Sequence, residues 1–542
     1  MLLSPMVALA QVPNAGQAIR DIESLQPLLP APEQLDLDLS RPGNTPTVPA
    51  SPGGMHIAVR DFVLEGNQVI DSDTLLAQLN DLRGQHLDLA GLQDAAQRIT
   101  AFYQHQGYAL ARAFLPAQEI DQGVVRIAVL EGRYGEIQLN NRSRTRDRVM
   151  RARLSQLRQG EAVQDAKLNR ALLLLRELPG IASKGTLRPG ATPGSTDLVI
   201  DVDPGSWANA SLEADNYGGQ YTGQYRLGGS LSLNNPLRAG DVFSLRMLQS
   251  DQQQRYYRAG YMLPLGPWST TLGASYSEMT YALGKDFSVL EAHGRARITS
   301  VFASQPLVRS LEMSINAQLQ YDDKQLRDEI DLFELSSPKR VELWTLGMNG
   351  AIQDHWLGGG QNQFSLGYST GRLSFGNPDE RALDRLSANT VGRFSRANLH
   401  VARLQRLSSR WQLYTQFGAQ WASTNLDSSE KFSLGGPDGV RAFALGAGAG
   451  DQGWQASAEL RYQVRPNLEL NSVFDKGQVW LNRHPWSAQS STHSQAATGV
   501  GATWSGASQK VSLTAAWPVK QREQDEAPHQ DPRIWVSAIQ YF

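Results

Sequence analysis

Arg441 is a lone cation in an apolar setting, within Val440-Arg441-Ala442-Phe443, and it sits inside a glycine-rich loop that spans residues 435–453 of a 542-residue chain. Read from the loop alone, it is either a held charge or a solvated arginine. A second basic stretch, residues 133–158, carries eight arginines, among them Arg142, Arg144, Arg146 and Arg148. These suit an acidic partner, anionic head groups or simply a solvated face. Catalytic patterns fail on context. Gly448-Ala449-Gly450-Asp451-Gln452-Gly453 fits G-x-G-x-x-G, but a strand follows directly, where a dinucleotide site needs strand, turn and helix. The chain has no P-loop pattern and no H-E-x-x-H. Its nine histidines show no ligand spacing, and with no cysteine there are no disulfides, thiolate sites or cysteine nucleophiles. Asp379-Glu380 falls in a polar loop. The expectation is no enzyme, no cofactor and no metal.

The loop runs into a strand of strict alternation. Trp454, Ala456, Ala458, Leu460, Tyr462 and Val464 face one way, and Gln455, Ser457, Glu459, Arg461 and Gln463 the other. One apolar and one polar face suits a wall between lipid and water, or a half-buried strand of a soluble sheet. Net charge is -2 with 19% charged residues, so no overall field argues for nucleic acid. No apolar run approaches the roughly 18 residues of a membrane helix. Mean hydropathy of -0.38 still leaves a barrel open, because only alternate residues of each strand are apolar.

In chain order, residues 1–10 read as a truncated signal peptide, with Ala8-Leu9-Ala10 as the cleavage site. Residues 11–34 hold a short helix over Gln17–Leu29, suited to a plug or latch. Residues 35–56 continue a proline-rich, mobile linker. From Ile57 the pattern is β-α-α-β-β: a strand at Ile57–Leu64, helices at Ser72–Leu82 and Leu89–Gln106 (the latter capped by Asp88), and strands at Ala109–Leu115 and Val124–Leu130. The order recurs with Tyr134–Leu139, helices at Asp147–Leu157 and Asp165–Leu178, and a strand at Leu198–Val202. Two α/β modules, 57–132 and 133–205, are expected.

After Gly205 strands and turns take over. Leu311–Tyr321, Trp411–Trp421, Tyr225–Leu233 and Phe364–Tyr368 alternate, with longer polar loops expected at Asp322–Ser337 and Gly376–Arg393. No amphipathic helix is expected there. Residues 206–542 are long enough for sixteen membrane strands of about 9–11 residues with their loops, and the chain closes on an apolar strand ending at Phe542. The fold class is thus two α+β modules followed by an all-β, 16-stranded transmembrane barrel, with a Gly-rich loop near 433–453.

Together these features resemble the two-partner secretion transporters, the TpsB group of filamentous-haemagglutinin and haemolysin exporters. The two modules resemble POTRA domains. Val440-Arg441-Ala442-Phe443 stands where the family carries Val-Arg-Gly-Tyr/Phe. Val473-Phe474-Asp475-Lys476-Gly477 matches Phe-x-Asp-x-Gly at Asp475 and Gly477, with the phenylalanine shifted by one. The resemblance implies a loop folded into the barrel, with Arg441 meeting Asp475 on the inner wall as a conformational lock. It also implies POTRA modules in the periplasm that take up a secreted β-rich exoprotein, of adhesin or haemolysin type, by strand addition. The barrel would be monomeric and surrounded by outer-membrane lipid, and the client's own folding outside would drive export. The alternatives at this stage are an outer-membrane insertase of the same superfamily and a passive channel.

Overall fold

The computed structural model describes residues 13–23, 37–39, 56–486, 491–519 and 531–542. The signal-peptide reading of 1–10 lies outside the described residues. No helix among those described is long and apolar enough to cross a membrane.

The first module is a three-stranded sheet backed by two helices. Val124–Leu130 is its centre, parallel to Asp61–Glu65 and antiparallel to Arg112–Phe114. Asp88 caps the Leu89–His105 helix, accepting from Gly91 N at 2.8 Å. The apolar stripe of that helix (Leu92, Ala95, Ile99, Tyr103) packs on Phe62, Val125 and Ile127. The helix expected over 72–82 is α-helical only at Ser72–Leu76 and tightens into a 3₁₀ turn over Ala77–Leu82.

The second module repeats the plan. Arg133–Asn141 lies parallel to Ser195–Pro204, and the Asp147–Leu154 and Asp165–Arg176 helices cover the sheet. A strand that sequence reading did not name, Ile181–Pro189, pairs antiparallel with Ser195–Pro204 and completes β-α-α-β-β. On its outer edge the backbone of Leu37–Leu39 adds a parallel strand. The linker is therefore ordered at these three residues rather than mobile. They form a proline-free stretch whose N–H groups can join an open sheet edge.

Residues 208–541 close into one antiparallel barrel of sixteen strands. The first, Ala208–Asp215, pairs with the last, Arg533–Tyr541, from Ser211 opposite Tyr541 to Asp215 opposite Ser537. Phe542 seals this seam, donating its N–H to Ala210 O at 2.9 Å and accepting from Ala210 N at 3.3 Å. Outward positions such as Leu319, Trp344 and Leu346 are exposed, whereas the alternate Val341 and Leu343 are buried. Two expected loops differ. Asp322–Ile330 and Leu335–Arg340 continue strands of 18 and 20 residues. Past the lipid band both faces of a strand are polar, so the alternation that marks strands disappears. Within Gly376–Arg393 a helix forms over Pro378–Leu386, its first turn set by the Asn377 cap and by proline at the first helical position.

Candidate functional site

The loop between Trp411–Ala422 and Gln452–Arg465 folds into the lumen. Leu434, Val440, Ala442 and Phe443 bury against Val479, Ala497 and Ala516 of the wall. Its tip is a tight reversal in which Val440 N donates to Leu434 O at 2.7 Å. A side chain at Gly439 would meet Leu434 O at 2.0 Å, so only glycine closes this turn. Ala442 is not among the residues with positive φ, so alanine carries no backbone strain there.

The Arg441 side chain is 8% exposed and lies against two carboxylates. Its Nη2 donates to Glu459, and its Nε stands 3.8 Å from Asp475 Oδ2 and donates to Pro437 O at 3.1 Å. Asp475 also accepts from the Arg441 backbone N at 3.2 Å and from Ser457 Oγ at 2.6 Å. The Arg441 carbonyl accepts from Trp535 Nε1 at 2.7 Å, tying the loop to the last strand. Gly477 leaves room for the loop, since a Cβ there would fall 2.6 Å from Leu434 Cδ2. Phe474 points outward and is 48% exposed, while Val473 takes the inner position. Sequence reasoning missed Glu459 as a partner. The signal was present, because Ser457, Glu459 and Arg461 share the polar face of the alternating strand.

The base of the loop is pinned by buried ion pairs. Glu430 meets Lys324 at 2.7 Å and Arg396 at 3.0 Å, and Asp427 meets Lys339 at 3.2 Å. Against this base packs the Ala15–Glu23 helix, inside the barrel. Asn14 caps it, accepting from Gln17 N at 2.9 Å, so the helix starts two residues before the expected Gln17. Ala18, Ile19 and Ile22 bury against Tyr256, Met279 and Tyr281 of the wall. Ala15 N donates to Asp328 Oδ1 at 2.7 Å, Arg20 Nη1 to Ser428 O at 2.9 Å and Ser428 Oγ to Asn14 Oδ1 at 2.6 Å. Toward the periplasmic mouth a cavity of about 640 Å³ remains, lined by Glu23 at the end of this helix, by Arg258, Arg309, Gln318 and Gln320 of the barrel wall and by Glu177 and Leu178 of the second module.

The second module is docked on that mouth. Arg309 Nε meets Glu177 Oε1 at 2.5 Å, Arg170 donates to the carbonyls of Pro306 and Leu307, and Asn235 Nδ2 donates to Thr145 Oγ1 at 2.6 Å. Arg142 is bidentate on Asp203, and its hydrogen bonds hold that carboxyl below its usual range. Arg144, Arg146 and Arg148 are exposed beside the same barrel rim, where Arg146 N donates to Arg238 O at 3.1 Å. Between the modules, buried Glu131 accepts from Gln68 N, Val69 N, Tyr103 Oη and Arg133 Nη2. Burial pushes its pKa up, but the two backbone N–H groups, with Tyr103 and Arg133, outweigh it and keep the carboxyl below its ordinary value.

The description "Haemolysin secretion/activation protein ShlB/FhaC/HecB" belongs to the family model that matches residues 194–506, and a ShlB-type POTRA model matches residues 57–132. The heme/hemopexin transporter protein HuxB of Haemophilus influenzae is 25% identical, covering 100% of this chain and 97% of that protein. The outer membrane transporter CdiB of Dickeya dadantii is 24% identical over 78% of this chain and 75% of its own length. The solved structure of CdiB from Escherichia coli shares the fold, with a TM-score of 0.74 at 21% identity over 92% of this chain and 93% of that one. The chain therefore belongs to the haemolysin secretion/activation family, the outer-membrane transporters of two-partner secretion.

Proposed function

We propose that this transporter exports one large β-rich exoprotein through its own barrel, and that the lumen is held shut by two removable elements, the in-folded loop and the N-terminal helix. The observation that carries this reading is the seating of Arg441 between Glu459 and Asp475, together with a helix held in the lumen by hydrogen bonds to side chains and by one small apolar face. Such contacts can be exchanged for others without unfolding the barrel. Residues 57–132 and 133–205 act as the periplasmic receptor and 206–542 as the pore. A client strand adds to an open sheet edge by backbone hydrogen bonds. Asp61–Glu65 and Arg112–Phe114 are the edges of the first sheet, while Leu37–Leu39 already covers one edge of the second. No enzymatic step is part of this reading. The pore works as a monomer, since a closed barrel leaves no edge to pair, and Arg144, Arg146 and Arg148 meet anionic head groups of the inner leaflet.

The test is comparative proteomics of culture medium and outer membrane in cells with the protein, without it, and with Arg441→Ala. One exoprotein absent from the medium without the protein and depleted with the variant supports export. Loss of several barrels from the membrane supports an insertase, and no change in either fraction supports a channel. The full-length likeness to HuxB favours a client of the heme/hemopexin class over a haemolysin. Assaying the missing exoprotein for haem or hemopexin binding decides between these.

A further inference from the structure

The strands Ala292–Arg309, Met313–Ile330, Leu335–Asp354 and Gly360–Phe375 rise past the lipid band at the end of the barrel away from the periplasmic modules. On their outer face the band ends at an aromatic rim, where Tyr321 and Trp344 lie opposite each other with ring centroids 4.9 Å apart. Immediately above lies a row of Thr299, Asp323 and Glu342, with Arg372 opposite Glu342, and beyond it the outward positions become cationic. Arg297, Gln325 and Arg340 stand side by side on three adjacent strands. One step higher Arg295 lies directly opposite Arg327, and to the side Arg372 lies directly opposite Arg393. A shallow depression of about 370 Å³ is lined by Arg295, Arg297, Gln325, Arg327, Arg340 and Ser374.

Like charges directly opposite on neighbouring strands destabilise a sheet, and this patch contains two such pairs. The carboxylates at hand do not neutralise it. Glu278 is shared by Arg295 and Arg297, Asp323 and Glu342 both serve Arg340, and Glu329 serves Arg327. Among the described residues no carboxylate lies within ion-pair distance of Arg372 or Arg393. Six guanidiniums therefore face four carboxylates. The side chains of Arg295, Arg297, Arg327 and Arg340 remain 44–60% exposed. Guanidinium forks match phosphate oxygens bidentately. The ligand must reach this height while its acyl chains lie against Leu319, Leu346 and Val301 below, all of which are exposed on the outward face.

We propose that this patch binds the phosphorylated headgroup of an outer-leaflet glycolipid, with the acyl chains on the apolar band and the phosphate between the Arg297–Arg340 and Arg295–Arg327 rows. The inference rests on the outer-membrane placement of the barrel and is independent of the proposed latch. Seated there, the lipid relieves the cross-strand repulsion and fixes the four longest strands of the wall.

The experiment takes the full chain purified from native outer membrane and reads lipid retention by native mass spectrometry, followed by titration of delipidated protein with lipid A, dephosphorylated lipid A, phosphatidylglycerol or inorganic phosphate, reading Tm. The wild type retains one phosphorylated glycolipid and is stabilised by lipid A alone. Arg297→Gln with Arg340→Gln lowers retention by roughly tenfold or more, whereas Arg144→Gln with Arg146→Gln leaves it unchanged. Undiminished retention in the Arg297/Arg340 variant overturns the proposal. So does an equal Tm shift from dephosphorylated lipid A or phosphatidylglycerol, or from inorganic phosphate, which would mark an anion site with no lipid. Should the variant fail to fold, judged by its heat-modifiable mobility, the wild-type titration alone decides.

Discussion

Glu459 is held between two guanidiniums. Arg441 of the in-folded loop donates to one carboxylate oxygen, and Arg461, two residues further along the same wall strand, donates to the other at 2.8 and 3.0 Å. The loop thus docks onto a wall charge that is already compensated. Asp475 completes the seat from the neighbouring strand, where Ser457 stands opposite it. When Arg441 leaves, Glu459 keeps one partner and Asp475 keeps Ser457. The wall can survive an open state that the loop alone has abandoned.

Removing one side of a buried pair costs about 3–5 kcal/mol when the charge left behind is uncompensated; here Arg461 and Ser457 remain on Glu459 and Asp475, so the loss falls below that range. Arg441→Ala, and Glu459→Gln to a lesser degree, are expected to unseat the loop and depress export while the barrel keeps its heat-modifiable migration. The double variant should be no worse than Arg441→Ala, because both remove the same contact. Quantitative blotting of medium and membrane reads this, and additive losses would assign the two residues separate roles.

The plug helix should respond to its apolar face. Ile19 is 2% exposed, and Ile19→Asp buries a carboxylate among Tyr256, Met279 and Tyr281. Such burial is unfavourable without a partner, so the helix is expected to leave the lumen. Planar-bilayer conductance should rise, and cells should become sensitive to large antibiotics. Unchanged conductance would mean that the helix does not close the pore.

Glu131 gives the junction between the modules an acid limit. Its carboxyl titrates lower folded than unfolded. Its stabilising contribution is therefore complete above the unfolded value of about 4.3 and disappears as pH falls through the folded value. Limited proteolysis of the full chain should show the junction opening below about pH 4 in the wild type. Glu131→Gln should be weaker at neutral pH yet flat across that window. A wild-type profile as flat as the variant's would remove this role.

Docking of the second module is expected to depend on Arg309 and Glu177. Reversing either one alone places like charges at the periplasmic mouth, and reversing both restores a pair. Interspin distances between spin labels on module and barrel should broaden in Glu177→Arg and in Arg309→Glu, and narrow again in the double variant. Failure of the double variant to recover would shift the docking to Arg170 and its carbonyl partners.

Much of this was legible in the sequence because lipid-facing strands alternate. Trp454–Val464 and Trp411–Trp421 lie within one or two residues of their observed ends. The reading failed where the environment on the two faces of a strand becomes the same. Asp322–Ile330 looks like a loop because solvent lies outside it and a polar lumen inside. Asn377-Pro378 was a helix start concealed in a charged stretch. Arg441 was marked by its apolar neighbours, and Asp475 by motif likeness. Glu459 was marked as lumen-facing by the polar face of its strand, and the pairing of Ser457 with Asp475 then shows that the two carboxylates share the seat. The order of Leu37–Leu39 depends on a sheet edge far along the chain, which no local pattern announces.

The account's central claim is that the lumen must be vacated for export, and an engineered disulfide tests it most directly. A Cβ at Gly16 would lie 2.6 Å from Ser428 Oγ, within reach of a disulfide between the two positions. The natural chain has no cysteine to compete. In Gly16→Cys/Ser428→Cys, oxidation is expected to stop export of the client and reduction to restore it, with each single variant indifferent to both. Export that continues at the wild-type rate with the bond formed would contradict the claim.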